Sequence, residues 1–94
     1  MLAVAKCESG FNPDAWNKND PNGGSRGIYQ YQTATFYGNF DRASASLSFR
    51  EPDITNPEQQ IELTAYLFAA GKQGLWACWY LVNGLPVPWV KNPA

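Results

Sequence analysis

Glu8 is the residue of this chain best suited to carry out chemistry. It ends a short apolar run, and a polar, turn-forming segment follows it before apolar periodicity resumes at Ile28. The carboxylate would therefore lie at the edge of an apolar region. Such a site disfavours the ionised form of a carboxylic acid and keeps its proton available near neutral pH. A protonated acid in this position is what acid-catalysed cleavage of a glycosidic bond requires.

The composition excludes several other chemistries. The chain has 94 residues, a net charge of −1 and no histidine. Without histidine, serine-hydrolase triads, papain-like dyads and most zinc hydrolases are excluded. The charge balance favours neither nucleic-acid nor anionic-membrane binding, and no apolar stretch approaches the ~18 residues of a membrane span. We predict no metal, no cofactor, no nucleic-acid partner and no membrane span.

The two cysteines, Cys7 and Cys78, lie near opposite ends of the chain. They are either two buried free thiols or a disulfide, and the disulfide is favoured because so small a domain needs a covalent constraint. The bond would close a loop of roughly 70 residues, for which the chain-entropy model gives roughly 4 kcal/mol. A disulfide would place the protein outside the cytosol.

Helices are predicted on either side of the polar segment. Residues 1–9 are typical of a short helix that Gly10 ends, which places Glu8 in the last turn. Asn56-Pro57-Glu58 is a strong helix start, because it combines an N-cap residue, a proline at the first position and an acid in the first turn. The apolar residues after it predict a central packed helix that ends at Gly71.

The remaining segments carry weaker signals. Residues 12–27 are rich in Asn, Asp, Pro and Gly, so we expect an irregular lobe or a short hairpin, with Trp16 anchoring it to the core. Residues 43–49 alternate with a period of two, which indicates a strand, although a loop or a short helix is also compatible. The prolines after Gly84 predict an extended tail. We expect residues 1–94 to form one domain, excised from a longer chain.

Two stretches resemble the soluble lytic transglycosylase family of the lysozyme-like superfamily. Residues 8–15 match the pattern E-S-x-F-N-P-x-A, and residues 24–30 match G-x-x-G-L-x-Q apart from Ile28 at the leucine position. Asn56-Pro57-Glu58, followed by Tyr66-Leu67, is similar to the next helix of that family.

The cysteines resemble those of a second family, the resuscitation-promoting factors. That family has a C-E-S-G opening, as at Cys7, and a late segment containing glycine, tryptophan and cysteine, which resembles residues 71–78. Together the two resemblances cover about residues 1–80. Two features differ from the transglycosylase pattern: the loop between Glu8 and Gln30 is longer, and Tyr80 to Gly84 is only a loose counterpart of the late A-Y-N-A-G segment.

The resemblance implies a mainly α, lysozyme-like domain with an irregular loop or short β-hairpin lobe beside an active-site groove. It implies an enzyme that cleaves peptidoglycan glycan strands between N-acetylmuramic acid and N-acetylglucosamine, as a lytic transglycosylase or a muramidase. Glu8 would be the single catalytic acid, because the 2-acetamido group of the substrate takes the place of a second carboxylate. Such an enzyme would be an extracytoplasmic monomer: secreted, periplasmic, in the cell wall or on a phage virion.

The predicted substrate contacts rest partly on this resemblance. Gln30 matches the groove-lining glutamine, Asn17 falls where many members carry a substrate-contacting serine, and Tyr66 matches a helix tyrosine that faces the acid. Tyr31, flanked by polar residues, is expected to be exposed and able to stack on a sugar. Asp20 is either a second acid in the groove or a residue of an ordinary turn.

A function from another class is also compatible with these residues. A non-catalytic glycan-binding or structural module, in a cell-surface assembly or a phage virion, would keep the fold and bind cell walls without cutting them. Conversion of Glu8 to glutamine separates the two hypotheses, since only the enzyme needs the acid.

Overall fold

A computed structural model describes residues 1–20 and 22–89. Within them, four helices surround a small antiparallel sheet. The helices are α1 (Leu2–Ser9), α2 (Thr33–Ala43), α3 (Pro57–Ala69) and α4 (Ala77–Val82); the strands are β1 (Trp16–Asn17), β2 (Ser25–Arg26) and β3 (Tyr31–Gln32). The mainly α class with a small lobe, predicted above, is confirmed. Val90–Ala94, where the predicted tail ends, lie outside the described residues.

Helix α1 ends where the sequence predicts. Gly10 adopts a left-handed conformation, with φ of 62°, and its backbone N–H donates to the Lys6 carbonyl at 2.8 Å. This conformation costs glycine little, so the helix stops and the chain turns away directly after Glu8 and Ser9. Val4 and Ala5 are the buried residues of the helix, and they attach it to the core.

Helix α3 begins at the predicted signal. The Asn56 side chain accepts hydrogen bonds from the backbone N–H groups of Glu58 and Gln59, and Pro57 occupies the first turn. The cap satisfies two donors that the helix leaves unpaired. The helix buries Leu63 and Leu67 together with two polar residues, Gln60 and Thr64.

The lobe between α1 and α2 is a sheet of three two-residue strands in the order β1-β2-β3. Trp16 pairs with Arg26, and Arg26 pairs in turn with Tyr31. The predicted anchoring of this lobe by Trp16 is wrong. The indole is 54% exposed, and the Arg26 guanidinium lies 4.4 Å from the ring centroid.

Gln60 anchors the lobe instead. Its side chain is fully buried, accepts a hydrogen bond from the Tyr29 backbone N–H at 3.0 Å, and donates to the carbonyls of Arg26 at 3.0 Å and Ile54 at 2.7 Å. A side-chain carbon at Gly27 would overlap this amide, so the close approach of lobe and helix requires glycine there.

Residues 43–49 form no strand. Ala43 ends α2, a 3₁₀ turn follows at Ser44–Ser46, and Leu47 is buried. Ala43 and Leu47 face the core while Ala45 is exposed, so the burial follows helical spacing and not alternation. The short-helix alternative is therefore the one that the structure contains.

A disulfide joins Cys7 of α1 to Cys78 of α4, with Cα atoms 5.8 Å apart. This was the favoured prediction, and it brings two helices together that are 71 residues apart in the chain. Among the described residues, no helix is long and apolar enough to cross a bilayer.

Candidate active site

A groove of about 530 Å³ runs between the lobe and the helices. Its lining combines two carboxylic acids with polar and aromatic side chains: Glu8, Asp20, Ser25, Gln30, Tyr31, Gln32, Thr35, Leu75, Trp76, Ala77 and Trp89. A partly apolar cleft with a few polar groups suits a carbohydrate, whose rings have both polar edges and apolar faces.

Glu8 is held at one wall of the groove by its neighbours in the chain. It occupies the last turn of α1, and Ser9 beside it donates a hydrogen bond from Oγ to the Ile28 carbonyl at 2.8 Å. This bond ties the end of the helix to the segment that precedes β3. On the other side of Glu8 in the chain, Cys7 is held by its disulfide bond to Cys78.

The environment of Glu8 favours its protonated form. Burial raises the pKa of this carboxyl from 4.5 to about 7; the Cys78 backbone N–H lowers it, and the negative charge of Asp20 raises it. Desolvation is the largest of these effects, as expected for an acid at an apolar surface. A substantial fraction of Glu8 therefore carries a proton near neutral pH, which a general acid needs.

Asp20 faces the same groove from the lobe. Its Oδ1 accepts a hydrogen bond from the Asn17 side-chain amide at 3.2 Å, and its backbone N–H donates to the Asn17 carbonyl at 3.3 Å. Asp20 is thus both a turn residue and a groove residue. Asn17 is exposed and does not line the groove, so its nearest link to the site is through Asp20.

Gln30 lines the groove and also stabilises the lobe through side-chain hydrogen bonds. Its Nε2 donates to the carbonyls of Gly27 at 2.9 Å and Ala15 at 3.2 Å, which braces the lobe. Within the described part of the chain Oε1 receives no hydrogen bond, so it remains an available acceptor. The backbone φ of 52° is unfavourable for a residue with a side chain, and such strain tends to occur at functional sites.

The expected exposure of Tyr31 is wrong. The side chain is 2% exposed, its hydroxyl hydrogen-bonds Thr64 Oγ1 at 2.7 Å, and burial raises the pKa of the phenol. Its ring packs edge-on against Phe36 and Trp76, with centroids 5.4 and 5.5 Å away. Because the Tyr31 side chain is buried in the core, its ring offers no free face to a sugar, although the residue is among those that line the groove.

Tyr66 lies elsewhere. It is 36% exposed on α3 and is absent from the lining of the groove. The buried face of α3 presents Thr64 toward Tyr31 instead. A role for Tyr66 in substrate contact stays a prediction that rests on resemblance alone.

Trp89 is a groove residue that the sequence did not indicate. Its ring is 58% exposed and packs edge-on against Tyr80, with centroids 5.7 Å apart at 89°. The sequence did offer one signal for Trp89, because this large aromatic residue stands between prolines near the end of the chain. An extended segment cannot bury such a ring by itself.

The described residues contain no cluster of three or more His, Cys, Asp or Glu side chains that could hold a metal ion. Two carboxylic acids, one of them with a pKa near neutrality, line the same groove, and this arrangement fits acid-catalysed glycoside cleavage.

Comparison with protein families agrees with this geometry. The family model described as the transglycosylase SLT domain matches residues 1–82, which is most of the chain and includes Glu8, Asp20 and Gln30. Neither a curated protein nor a solved structure shows significant similarity to the chain. The match supports lytic transglycosylase activity on peptidoglycan in general terms. The chain belongs to the transglycosylase SLT domain family.

Proposed function

We propose that this protein cleaves the β-1,4 bond between N-acetylmuramic acid and N-acetylglucosamine in peptidoglycan, with Glu8 as its single catalytic acid. The observation that carries the proposal is the position of Glu8. It lies half-buried in a groove that is large enough for sugar units, and desolvation raises its pKa to about 7. An ordinary exposed carboxyl group would be ionised at neutral pH and would have no proton to donate.

In the proposed reaction, Glu8 donates its proton to the glycosidic oxygen as the bond to the anomeric carbon breaks. The 2-acetamido group of the muramyl sugar stabilises the positive charge that develops at that carbon. Glu8, now ionised, then removes a proton from the group that attacks the intermediate. Attack by the C6 hydroxyl of the same sugar gives a 1,6-anhydro product, whereas attack by water gives a reducing sugar.

Other groove residues would bind and orient the glycan. Gln30 lines the same groove as Glu8, and its Oε1 is an acceptor suited to a sugar hydroxyl or acetamido N–H. The exposed ring of Trp89 offers an apolar face to a pyranose ring. Roles for Asn17, Tyr31 and Tyr66 in binding have less support, since only Tyr31 lines the groove and its side chain is almost fully buried.

Asp20 acts on Glu8 through its charge. A second carboxylate in the groove raises the pKa of the acid and thereby extends the pH range in which Glu8 holds its proton. The same carboxylate could also hold a water molecule, and this would favour the muramidase outcome over the transglycosylase outcome. Mass spectrometry of the muropeptide products separates them, because anhydro products are lighter by one water.

The decisive test compares Glu8→Gln with Glu51→Gln, which removes an exposed carboxylate outside the groove. Because general acid catalysis contributes about 10²–10⁴-fold, Glu8→Gln should lower the rate at which purified cell walls clear by at least that factor. Glu51→Gln should leave the rate unchanged. Full activity of Glu8→Gln would contradict the proposal.

A non-catalytic glycan-binding module is the second candidate. Such a protein would sediment with cell walls as well as the unmodified enzyme does, but it would release no muropeptides, and Glu8→Gln would change nothing. The strong perturbation of the Glu8 pKa favours the enzyme, because a binding module gains no advantage from a desolvated acid.

We also propose extracytoplasmic action as a monomer. Peptidoglycan lies outside the cytoplasmic membrane, and the Cys7–Cys78 disulfide is the kind of bond that persists in oxidising compartments. The further likeness to resuscitation-promoting factors stays a prediction from the two cysteines and their flanking residues.

A further inference from the structure

A second cavity, of about 470 Å³, adjoins the groove. Thr35 and Leu75 line both spaces, so the two are neighbours that share part of their lining. One wall of the cavity is a face of α2 formed by residues at helical spacing, and the other comes from the turn after α3. The lining is Ala34, Thr35, Gly38, Asn39, Arg42, Lys72 and Leu75.

The charge of this cavity is opposite to that of the groove. Arg42 and Lys72 contribute two cations, and no aspartate or glutamate is among the lining residues. The groove contains Glu8 and Asp20 and no lysine or arginine. Gly38 lies on the α2 wall, one helical turn before Arg42, and its missing side chain leaves space beside the guanidinium. The cavity therefore suits an anionic group with some bulk.

We propose that this cationic cavity, lined by Arg42 and Lys72, binds carboxylates of the peptide attached to the muramyl sugar of the substrate. The proposal rests on the function proposed above, because it is the glycan in the groove that brings the peptide to the cavity. N-acetylglucosamine and N-acetylmuramic acid offer neutral hydroxyl and acetamido groups along the chain. The lactyl branch of the muramyl sugar leads to a peptide whose carboxylates are the anions nearest the glycan.

Arginine and lysine are suited to this ligand in different ways. The planar guanidinium can hold a carboxylate by two parallel hydrogen bonds, whereas the ammonium acts as a flexible point charge. Both side chains are exposed, so each contributes modestly and the attraction is weakened by salt. The cavity would thus give the enzyme a preference for peptide-bearing strands without being required for bond cleavage.

The test measures binding by calorimetry in a Glu8→Gln background, where substrate is not consumed. The probes are a glycan fragment of alternating N-acetylglucosamine and N-acetylmuramic acid with its peptides, the same peptide-bearing fragment with amidated carboxyls, and an oligomer of N-acetylglucosamine of the same length, which has no carboxylate. The variant is Arg42→Gln with Lys72→Gln. The matched control is Lys6→Gln with Lys18→Gln, which removes two exposed cations that line neither cavity.

The cavity variant should bind the peptide-bearing fragment about tenfold more weakly than its parent does, and the difference should shrink at high salt. Its affinity for the other two probes should change less than twofold, as should that of the control for all three. Equal losses on all probes, no loss on the peptide-bearing one, or no measurable binding of that probe to the parent would each overturn the proposal. Binding without cleavage by the unmodified protein would instead contradict only the enzymatic function.

Discussion

The two walls that carry the carboxylates of the groove are held in place by different interactions. Glu8 belongs to a helical wall, α1 with α4, which is joined by a disulfide between residues 71 positions apart. Asp20 belongs to the lobe, where turn hydrogen bonds with Asn17 and short strands shape the chain locally. The acid Glu8 is therefore positioned by a long-range covalent constraint, whereas its charged neighbour Asp20 is positioned by local backbone geometry.

The lobe has one long-range constraint of its own, and it is noncovalent. Gln60 of α3 holds the backbone near Tyr29 and Arg26 through buried hydrogen bonds. If each wall depends on its own constraint, then breaking the disulfide and breaking the Gln60 contacts should disturb different parts of the groove.

Loss of the disulfide should have the largest effect on stability. Cys7→Ser with Cys78→Ser frees the loop that the bond closes, and the chain-entropy model predicts a loss of about 4 kcal/mol in the free energy of unfolding. Urea denaturation of the oxidised protein and the double variant measures this difference. A difference below about 1 kcal/mol would mean that packing of α1 on α4 suffices without the bond.

Gln60→Leu should lower the free energy of unfolding by about 3 kcal/mol, because it leaves a buried backbone N–H and two carbonyls without their partner. Hydrogen exchange of the Tyr29 amide should accelerate more than that of amides in α1. The matched control is Gln59→Leu on the same helix, whose side-chain hydrogen bonds to Asp53 and Glu51 are exposed; it should cost less than about 1 kcal/mol. Equal losses of stability in the two variants would show that Gln60 does not anchor the lobe.

Stability should fall as the pH rises from about 4.5 to about 7, because the folded protein holds a proton on Glu8 that the unfolded chain has already released. Discounted for the remaining solvent exposure of the group, the penalty should approach about 2 kcal/mol above pH 7. Glu8→Gln removes the penalty, so it should unfold at a higher temperature than the parent at pH 8 and at a similar temperature at pH 4.5. Parallel pH profiles of the two proteins would show that Glu8 is not desolvated.

Asp20→Asn should have the smallest effect. It removes a neighbouring negative charge, so the Glu8 pKa falls and the alkaline limb of kcat/KM moves to lower pH by less than about one unit. Asp14→Asn, an exposed acid that does not line the groove, is the control and should leave the profile unchanged. A loss of 100-fold or more at every pH would show instead that Asp20 takes part directly in the reaction.

Much of the fold could be predicted because its signals are local. The end of α1 at Gly10 and the start of α3 at Asn56 depend on backbone preferences and caps that act within one turn. The turn-rich composition of the lobe likewise indicated short strands and loops. The acid itself could be singled out because histidine is absent and a carboxylate ends an apolar run.

Other features could not be predicted, because they depend on contacts between segments that are distant in the sequence. Residues 43–49 alternate in sequence, but α2 ends at Ala43, a 3₁₀ turn follows at Ser44–Ser46, and Ala43 and Leu47 are both buried in the core. Tyr31 has polar neighbours in the sequence, yet Thr64 of α3 provides a buried partner for its hydroxyl. A role for Trp89 could not be predicted from the sequence, because only the structure shows that this exposed ring of the proline-rich tail lines the groove.

By itself, the sequence determined which residue could serve as the acid, where its helix ends, and that the segment after it must turn. These properties follow from side-chain chemistry and from backbone preferences over a few residues. Only the tertiary structure decided how acidic Glu8 is, because burial and the nearby charge of Asp20 arise from segments that meet in space. It also decided that two cations, distant in sequence, line a cavity of opposite charge beside the groove.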